Sequence, residues 1–295
     1  MNYGVVLPIW QLTVGEAESL ALRAEDLGLD GVFVPDHILA KPATTRHYGG
    51  HWPDPFVLLA YLAGRTRRLR LGASVIVLPY RSALVAAKAG ATVDQVSGGR
   101  FIFGVGVGWD EAEFADLRLP FPERGRMSDD YLRAIKAAWT SEEPSYQGPY
   151  AGFSGATFSP RPVQRPHPPI WVGGTPGVVG SAALRRCAML GDAWHPLGLS
   201  LDQLEKGWAQ LGDLATRQGR TTRPGLAPRN LLDLTEAPRG QGRAAFQGSV
   251  GEVASDIRRV RDLGAEWVTF DLPRSGVPAM VQAMERLARE VKPAV

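Results

Sequence analysis

The sequence predicts an α/β fold in the form of a single (β/α)8 TIM barrel. The first observation is that short β-branched runs alternate with amphipathic helical segments eight times along the 295 residues. The second is that three helix-to-strand joints contain a glycine able to end a helix, at Gly28, Gly191 and Gly264. Parallel strands need crossover helices, and such units close most readily at eight, so the pattern favours a barrel. A doubly wound open sheet is the alternative.

Eight runs rich in β-branched and aromatic residues are predicted as strands. The second run is a clear example, because it covers Gly31 to Val34 and ends at Pro35. The least regular run is 226–234. In chain order the predicted strands are 3–8, 31–34, 69–77, 100–105, 170–172, 193–195, 226–234 and 267–270.

Helical segments follow the predicted strands. Thr13 and Glu16 have the spacing of a capping box before a helix that ends at Gly28, and Ser249 with Glu252 repeats that spacing. The other predicted helices are 55–65, 82–96, 124–139, 181–190, 201–218 and 277–291. A polar loop is predicted between the second strand and residue 55. The segment 143–169 is rich in Pro, Gly and aromatic residues, and it is predicted as an insertion into one domain that covers 1–295.

Composition excludes several classes of protein. The 44% hydrophobic and 21% charged residues are typical of a globular enzyme and not of a disordered chain. The net charge of +3 comes from basic residues spread along the chain, so no nucleic-acid partner is expected. The one cysteine, Cys187, has no partner for a disulfide and is predicted to be a buried thiol. Without a leader or a long apolar run, the chain is expected to be cytoplasmic and not bound to membranes.

In a barrel of this kind, functional residues lie at the carboxyl ends of the strands. The Asp36–His37 pair follows the second strand, where it is either a hydrogen-bonded pair in a loop or part of an acid–base site. The other residues at predicted strand ends are Trp10, Ser74, Val75, Gly106, Val107, Gly108, Trp109, Gly173, Gly174, Thr175 and His195.

Two glycine-rich segments are candidates for binding a cofactor. Residues 104–108 lack the spacing of a dinucleotide-binding loop, so their glycines are interpreted as close approach to a flat ring or as a tight turn. Residues 173–181 precede a helix and aim N–H groups and hydroxyls at an anion, which makes a phosphate site credible.

A metal site is the less favoured hypothesis. His37 and His195 are possible ligands, as in barrel hydrolases. Such sites usually need a His-x-His at the end of the first strand, where this chain has Pro8-Ile9-Trp10. We therefore predict no metal, with a metal-dependent hydrolase as an alternative.

Several segments together resemble the luciferase-like oxidoreductase superfamily. This superfamily includes relatives of bacterial luciferase and enzymes that use 8-hydroxy-5-deazaflavin, known as coenzyme F-420. The resemblance runs from residue 1 to about 195, and 94–109 is its most specific part. The segments that carry it are 35–37, 71–76, 93–109, 168–174 and 191–196.

The resemblance implies a barrel that binds a flavin or deazaflavin at the carboxyl ends of its strands, usually as a homodimer. Asp36 and His37 would lie beside the reactive ring edge. Ser74–Val75 matches a strand-three bulge that in relatives often holds a non-prolyl cis peptide behind the ring. The insertion 143–169 would be a lid over the substrate. Gly106, Val107 and Gly108 would contact the ring or ribityl chain, and Gly173, Gly174 and Thr175 the phosphate, although the loop after Thr175 is longer than in relatives.

The superfamily contains two cofactor chemistries. Carbon at ring position 5 makes the deazaflavin an obligate hydride carrier, whereas nitrogen there lets reduced FMN react with oxygen. Residues 107–109 and 171–174 look most similar to the deazaflavin-dependent branch. We therefore predict hydride transfer between bound deazaflavin and a small organic substrate. The alternatives are an FMN-dependent monooxygenase and a non-catalytic flavin- or deazaflavin-binding barrel.

Roles for the site residues follow from this prediction. His37 would donate or accept the proton, since imidazole suits that role near neutral pH, and Asp36 would hold His37 or the ring. The substrate pocket is predicted to contain Trp10, Trp52, Trp109 and His195.

Overall fold

The computed structural model describes residues 1–174 and 182–295. Parallel ladders and the helices between them dominate this part of the chain, as the sequence predicts. The strands are β1 (Asn2–Val6), β2 (Gly31–Val34), β3 (Arg70–Ala73), β4 (Ile76–Val77), β5 (Phe101–Gly106), β6 (Tyr146–Gln147), β7 (Gly152–Phe153), β8 (Ile170–Gly174), β9 (Ala193–Pro196), β10 (Gly225–Leu226), β11 (Arg229–Leu231), β12 (Asp233–Leu234), β13 (Gln247–Gly248) and β14 (Trp267–Asp271). The α-helices are α1 (Val14–Asp26), α2 (Pro42–Tyr48), α3 (Pro55–Arg65), α4 (Ala83–Ser97), α5 (Glu111–Asp116), α6 (Arg124–Thr140), α7 (Ala182–Leu190), α8 (Leu201–Arg217), α9 (Val250–Asp262) and α10 (Val277–Arg286).

The chain packs as two compact units. The first unit contains Met1–Pro8, Gly15–Phe33 and Trp171–Val295, and the second contains Ile9–Val14 and Val34–Ile170. Predicted functional residues occur in both units. The organisation as one barrel domain over 1–295 stays a prediction. No helix in the described ranges is long and apolar enough to cross a membrane.

In the first unit, two parallel ladders form the framework. β14 pairs with both β1 and β11, β1 also pairs with β2, and β9 pairs with both β8 and β10. Buried aromatic rings fill the space next to these strands: Phe33 stacks on Trp171 with ring centroids 5.2 Å apart. The predicted capping box of α9 is confirmed, because Ser249 and Glu252 exchange side-chain-to-backbone hydrogen bonds.

In the second unit, β5 pairs in parallel with both β3 and β4. Helices α3, α4 and α6 pack beside these strands, with Trp139 almost fully buried. Its indole N–H donates to the carbonyl of Ala87 at 2.9 Å, so the ring is packed and its polar group has a hydrogen-bond partner. This packing holds the strand ends that carry the candidate site.

The structure differs from the sequence prediction in three places. The predicted strand 69–77 is split into β3 and β4 at Ser74–Val75, whose peptide bond is cis, as the resemblance implies. The predicted strand 226–234 is three short strands. The predicted polar loop before residue 55 contains helix α2, and helix α5 was also missed. Both helices have seven residues or fewer, which is too short for a 3.6-residue periodicity to be visible.

The predicted insertion 143–169 is fixed to neighbouring helices. Its strands β6 and β7 form an antiparallel pair, and the Tyr146 hydroxyl donates to Asp130 of α6 at 2.6 Å. Further along, the buried carboxylate of Asp94 in α4 accepts from the N–H groups of Val163 and Gln164 at 2.6 and 2.9 Å. These bonds anchor both halves of the segment, and its role as a substrate lid stays a prediction.

Candidate active site

The carboxylate of Asp36 joins the end of β2 to the end of β4. It accepts two hydrogen bonds from the Arg81 guanidinium, at 2.6 and 3.0 Å, and one from the Val77 N–H at 3.0 Å. Val77 in turn pairs with Gly106 at the end of β5. The predicted residues at these strand ends are therefore neighbours within the second unit.

Arg81 extends this connection to the start of α3. Its guanidinium also donates to Asp54 at 2.8 Å, and Asp54 caps α3 by accepting from the first N–H groups of that helix. Burial alone would lower the pKa of Arg81, but its bonds to Asp36 and Asp54 raise it above the usual value. The negative charge of Asp36 is thus balanced by the Arg81 guanidinium. We therefore interpret Asp36 as a positioning residue.

His37 is held by a carboxylate that the sequence reasoning missed. Its Nδ1 lies 2.6 Å from Oε2 of Glu113, and both side chains are buried. Asp36 was predicted to hold either His37 or the ring, and the first of these roles is wrong, since Asp36 is bonded to Arg81 and Val77. Glu113 lies on α5, which follows the end of β5 by only a few residues.

The carboxylate of Glu113 is the acceptor for four donors. Besides His37, the Tyr80 hydroxyl donates to Oε2 at 2.7 Å, and the N–H groups of Ile38 and Leu39 donate to Oε1 at 2.6 and 2.9 Å. Burial raises the pKa of Glu113, but the bonds from His37, the Leu39 N–H and Tyr80 outweigh it and lower the pKa below its usual value. Glu113 is therefore ionised at neutral pH.

The ionised Glu113 determines the tautomer of His37. The carboxylate can only accept, so the Nδ1 of His37 must carry a hydrogen, and the neutral ring then has its lone pair on Nε2. No hydrogen bond to Nε2 is made by residues in 1–174 or 182–295. The arrangement leaves Nε2 to exchange a proton with another molecule.

Short helices keep Glu113 in place. The carboxylate of Asp110 caps α5 by accepting from the N–H groups of Ala112 and Glu113, and its other oxygen accepts from the buried Thr44 hydroxyl of α2 at 2.7 Å. Phe114 packs edge-on against Tyr80 with ring centroids 5.1 Å apart. The sequence does contain a signal for this element, because Asp110 and Glu113 have capping-box spacing directly after a strand end.

Aromatic side chains surround the imidazole of His37. Three of the four predicted pocket residues, Trp10, Trp52 and Trp109, are brought together there, and the fourth, His195, lies in the first unit. The centroids of Trp52 and Trp109 lie 4.7 and 5.7 Å from that of His37. Trp10 stacks at a tilt on Trp52 at 5.3 Å, and Tyr48 of α2 packs on both. Their role in a substrate pocket stays a prediction.

Packing within the chain explains why two positions of β5 are glycine. A Cβ at Gly104 would lie 1.8 Å from the carbonyl oxygen of Ala73, and one at Gly106 would lie 2.5 Å from the side chain of Val75. The segment therefore makes room for the bulge that contains Ser74 and Val75. The backbone of Gly106, Val107 and Gly108 remains partly exposed, so their predicted contact with a flat ring is compatible with the structure.

Of the predicted phosphate residues, Gly173 and Gly174 end β8 in the first unit, and Thr175 lies outside the described residues, as does the rest of the loop to 181. A Cβ at Gly174 would make only ordinary contacts, the nearest 3.5 Å from Ala183. Packing within the described chain therefore does not require glycine at this position. The phosphate site stays a prediction.

His195 lies in β9 of the first unit, buried against Trp171 with ring centroids 5.2 Å apart. Its Nδ1 lies 2.6 Å from the carbonyl oxygen of Ala227, so Nδ1 carries the hydrogen. Burial lowers the pKa of His195 to about 4, and the bond to Ala227 opposes this shift only in part.

We expect His195 to make the stability of the protein depend on pH. The imidazole binds its proton near pH 6.5 in the unfolded protein and only near pH 4 in the folded protein. The contribution of His195 to the unfolding free energy is therefore complete above pH 6.5 and is lost as the pH falls towards 4. Between pH 7 and 4, the wild type should lose up to about 3 kcal/mol more unfolding free energy than His195→Asn, whose amide can still donate to Ala227. Urea unfolding at both pH values measures the difference. Equal losses in the two proteins would contradict the assignment.

Comparison with known proteins assigns the family. A structure of a monooxygenase from Streptomyces bottropensis matches with a TM-score of 0.81 over 99% of both chains, at 24% identity, which confirms the predicted barrel fold class. The family model for luciferase-like monooxygenases matches residues 1–266. The chain belongs to the luciferase-like monooxygenase family.

Two relatives illustrate the cofactors used in this family. The chain is 32% identical over 238 residues to an FMNH2-dependent dimethylsulfone monooxygenase from Pseudomonas putida, covering 78% of this chain and 62% of the relative. It is 37% identical over 173 residues to an F-420-dependent glucose-6-phosphate dehydrogenase from Kineococcus radiotolerans, covering 57% of this chain and 49% of the relative. The family therefore includes both FMN- and F-420-dependent oxidoreductases.

Proposed function

We propose that this protein transfers hydride between bound 8-hydroxy-5-deazaflavin, coenzyme F-420, and the alcohol or carbonyl carbon of a small organic substrate. The observation that carries the proposal is the ionised Glu113 bonded to Nδ1 of His37, which leaves Nε2 for a proton. Removing hydride from an alcohol carbon requires the loss of the hydroxyl proton, and a fixed imidazole base meets this requirement. The resemblance of residues 107–109 to the deazaflavin-dependent branch supports the choice of cofactor.

The residues of the second unit fit a flat ring. The backbone of Gly106, Val107 and Gly108 is partly exposed, and Ser74 and Val75 form the bulge beside it. These five residues would hold the ring of the cofactor, and Gly173, Gly174 and Thr175 are proposed for its phosphate. The bound deazaflavin supplies a carbon that accepts or returns hydride.

The protein's own side chains supply the proton transfer. In alcohol oxidation, Nε2 of His37 accepts the hydroxyl proton, and Glu113 stabilises the imidazolium that results. In the reverse direction, the same Nε2–H returns the proton to the carbonyl oxygen. Asp36 and Arg81 position the loop that carries His37, while the aromatic rings around it exclude water.

Cofactor retention tests the proposal. Purified protein is mixed with deazaflavin or with FMN, each oxidised and reduced, and the fraction retained after gel filtration is read from absorbance. We expect retention of the deazaflavin. Tight retention of FMN with none of the deazaflavin would instead favour an FMN-dependent monooxygenase, like the relative from Pseudomonas putida.

A further inference from the structure

Trp109 is an unusual side chain in the second unit because its indole is exposed without a structural reason. The residue is 43% exposed, although it lies only three positions after the end of the buried strand β5. Within 1–174 and 182–295, its one ring contact is with the imidazole of His37, at 5.7 Å and an interplanar angle of 81°. An exposed indole beside the imidazole of His37 is a flat apolar surface that a molecule bound at this imidazole would contact.

Trp52 provides a second indole on the same imidazole. Its ring lies 4.7 Å from that of His37 at an angle of 63°, and it is held in place by its N–H bond to the carbonyl of Gly49 at 3.1 Å. Trp10 supports it from behind at 5.3 Å. Trp52 is therefore held in place by the chain, and Trp109 presents a partly exposed ring beside the same imidazole.

The charged groups near these two indoles bear on the kind of ligand they could bind. In the described part of the chain, no Arg or Lys lies over the ring of Trp52 or Trp109. The carboxylate next to Trp109 in sequence, Asp110, is buried and bonded to Thr44 and to the N–H groups of α5, and Asp54, two positions after Trp52, is bonded to Arg81. The two rings therefore offer a ligand flat apolar surface, and the described residues place no cation over either ring.

We propose that Trp109 and Trp52 select substrates that carry a neutral aromatic ring on the alcohol or carbonyl carbon. This inference rests on the proposed function, because it places that carbon next to Nε2 of His37. A substrate hydroxyl at Nε2 brings its substituent within a few Å of the imidazole, where the two indoles meet it. Stacked and edge-to-face aromatic contacts stabilise a flat ring more than a saturated ring of the same size.

Kinetics on three alcohols test the selection. They are 1-phenylethanol, its saturated analogue 1-cyclohexylethanol and the small 2-propanol, each with deazaflavin. We expect kcat/KM to be highest for 1-phenylethanol. In Trp109→Leu the ratio of kcat/KM for 1-phenylethanol to that for 2-propanol should fall about tenfold, through KM for 1-phenylethanol. Trp109→Phe should recover most of the loss, and Val85→Ala, which alters an exposed apolar residue on α4, should change nothing.

Binding without cofactor separates this inference from the proposed function. Saturation-transfer NMR reports contact between 1-phenylethanol and the cofactor-free protein. If no alcohol is oxidised but this contact is present in the wild type and lost in Trp109→Leu, the proposed function fails and the aromatic site stands. Deazaflavin-dependent turnover that treats the phenyl and cyclohexyl alcohols alike, or prefers a sugar phosphate, overturns the inference alone. Absence of both turnover and Trp109-dependent contact overturns both.

Discussion

His37→Asn is expected to lower kcat for deazaflavin-dependent turnover by about 10²- to 10⁴-fold, the usual contribution of a positioned acid or base. The asparagine amide can still donate to Glu113, so the surrounding hydrogen bonds are kept while the nitrogen that would accept the substrate proton is removed. Cofactor affinity should remain within severalfold of the wild type. Steady-state kinetics together with a cofactor titration measure both quantities.

The partner variant Glu113→Gln tests how the histidine is activated. The glutamine keeps the size and one acceptor oxygen but loses the charge that stabilises the imidazolium, so we expect kcat to fall roughly 10²-fold. Glu111→Gln is the matched control, because Glu111 lies on the same helix and is exposed. If Glu113→Gln behaves as this control does, Glu113 has no part in the reaction. Unchanged turnover in His37→Asn would remove His37 from the mechanism.

Gly104→Ala should be the most destabilising single methyl addition in the second unit. Its Cβ would lie 1.8 Å from the carbonyl oxygen of Ala73, a backbone atom of the neighbouring strand β3 that cannot move without breaking its pairing with β5. We expect a loss of about 4 kcal/mol or more of unfolding free energy, or failure to fold.

Gly64→Ala provides the control for this substitution. Gly64 lies in α3, and a Cβ there meets no atom within 4 Å, so the change should be neutral or should stabilise the helix by up to about 1 kcal/mol. Soluble yield and urea unfolding compare the two variants. A Gly104→Ala protein within about 1 kcal/mol of the wild type would show that the bulge at residues 74–75 can move away from β5.

Much of the fold could be predicted because its elements are local in sequence. The limits of β2 and α3 agree with the predicted 31–34 and 55–65, since each has a clear apolar run and a Pro or Gly at its border. The break at Ser74–Val75 could not be read from periodicity, because the residues on both sides form one apolar run. It was expected only through the family resemblance.

The candidate site was predicted less completely. Asp36 and His37 directly follow a strand, so topology alone indicates them. The acceptor of His37 is 76 positions further along the chain, on a six-residue helix, and such a long-range pair leaves no local pattern. Arg81 was missed for the same reason, since its contacts with Asp36 and Asp54 exist only after three separate segments have packed together.

The measurement that tests the central claim most directly is a single turnover without oxygen. Wild-type protein loaded with oxidised deazaflavin is mixed with a secondary alcohol in a stopped-flow instrument, and cofactor absorbance and ketone are followed together. We predict bleaching of the deazaflavin with one ketone formed per cofactor reduced, and bleaching slowed by at least about 10²-fold in His37→Asn at equal cofactor occupancy. No bleaching of the deazaflavin at full cofactor occupancy, or bleaching at the same rate in His37→Asn, would contradict this account.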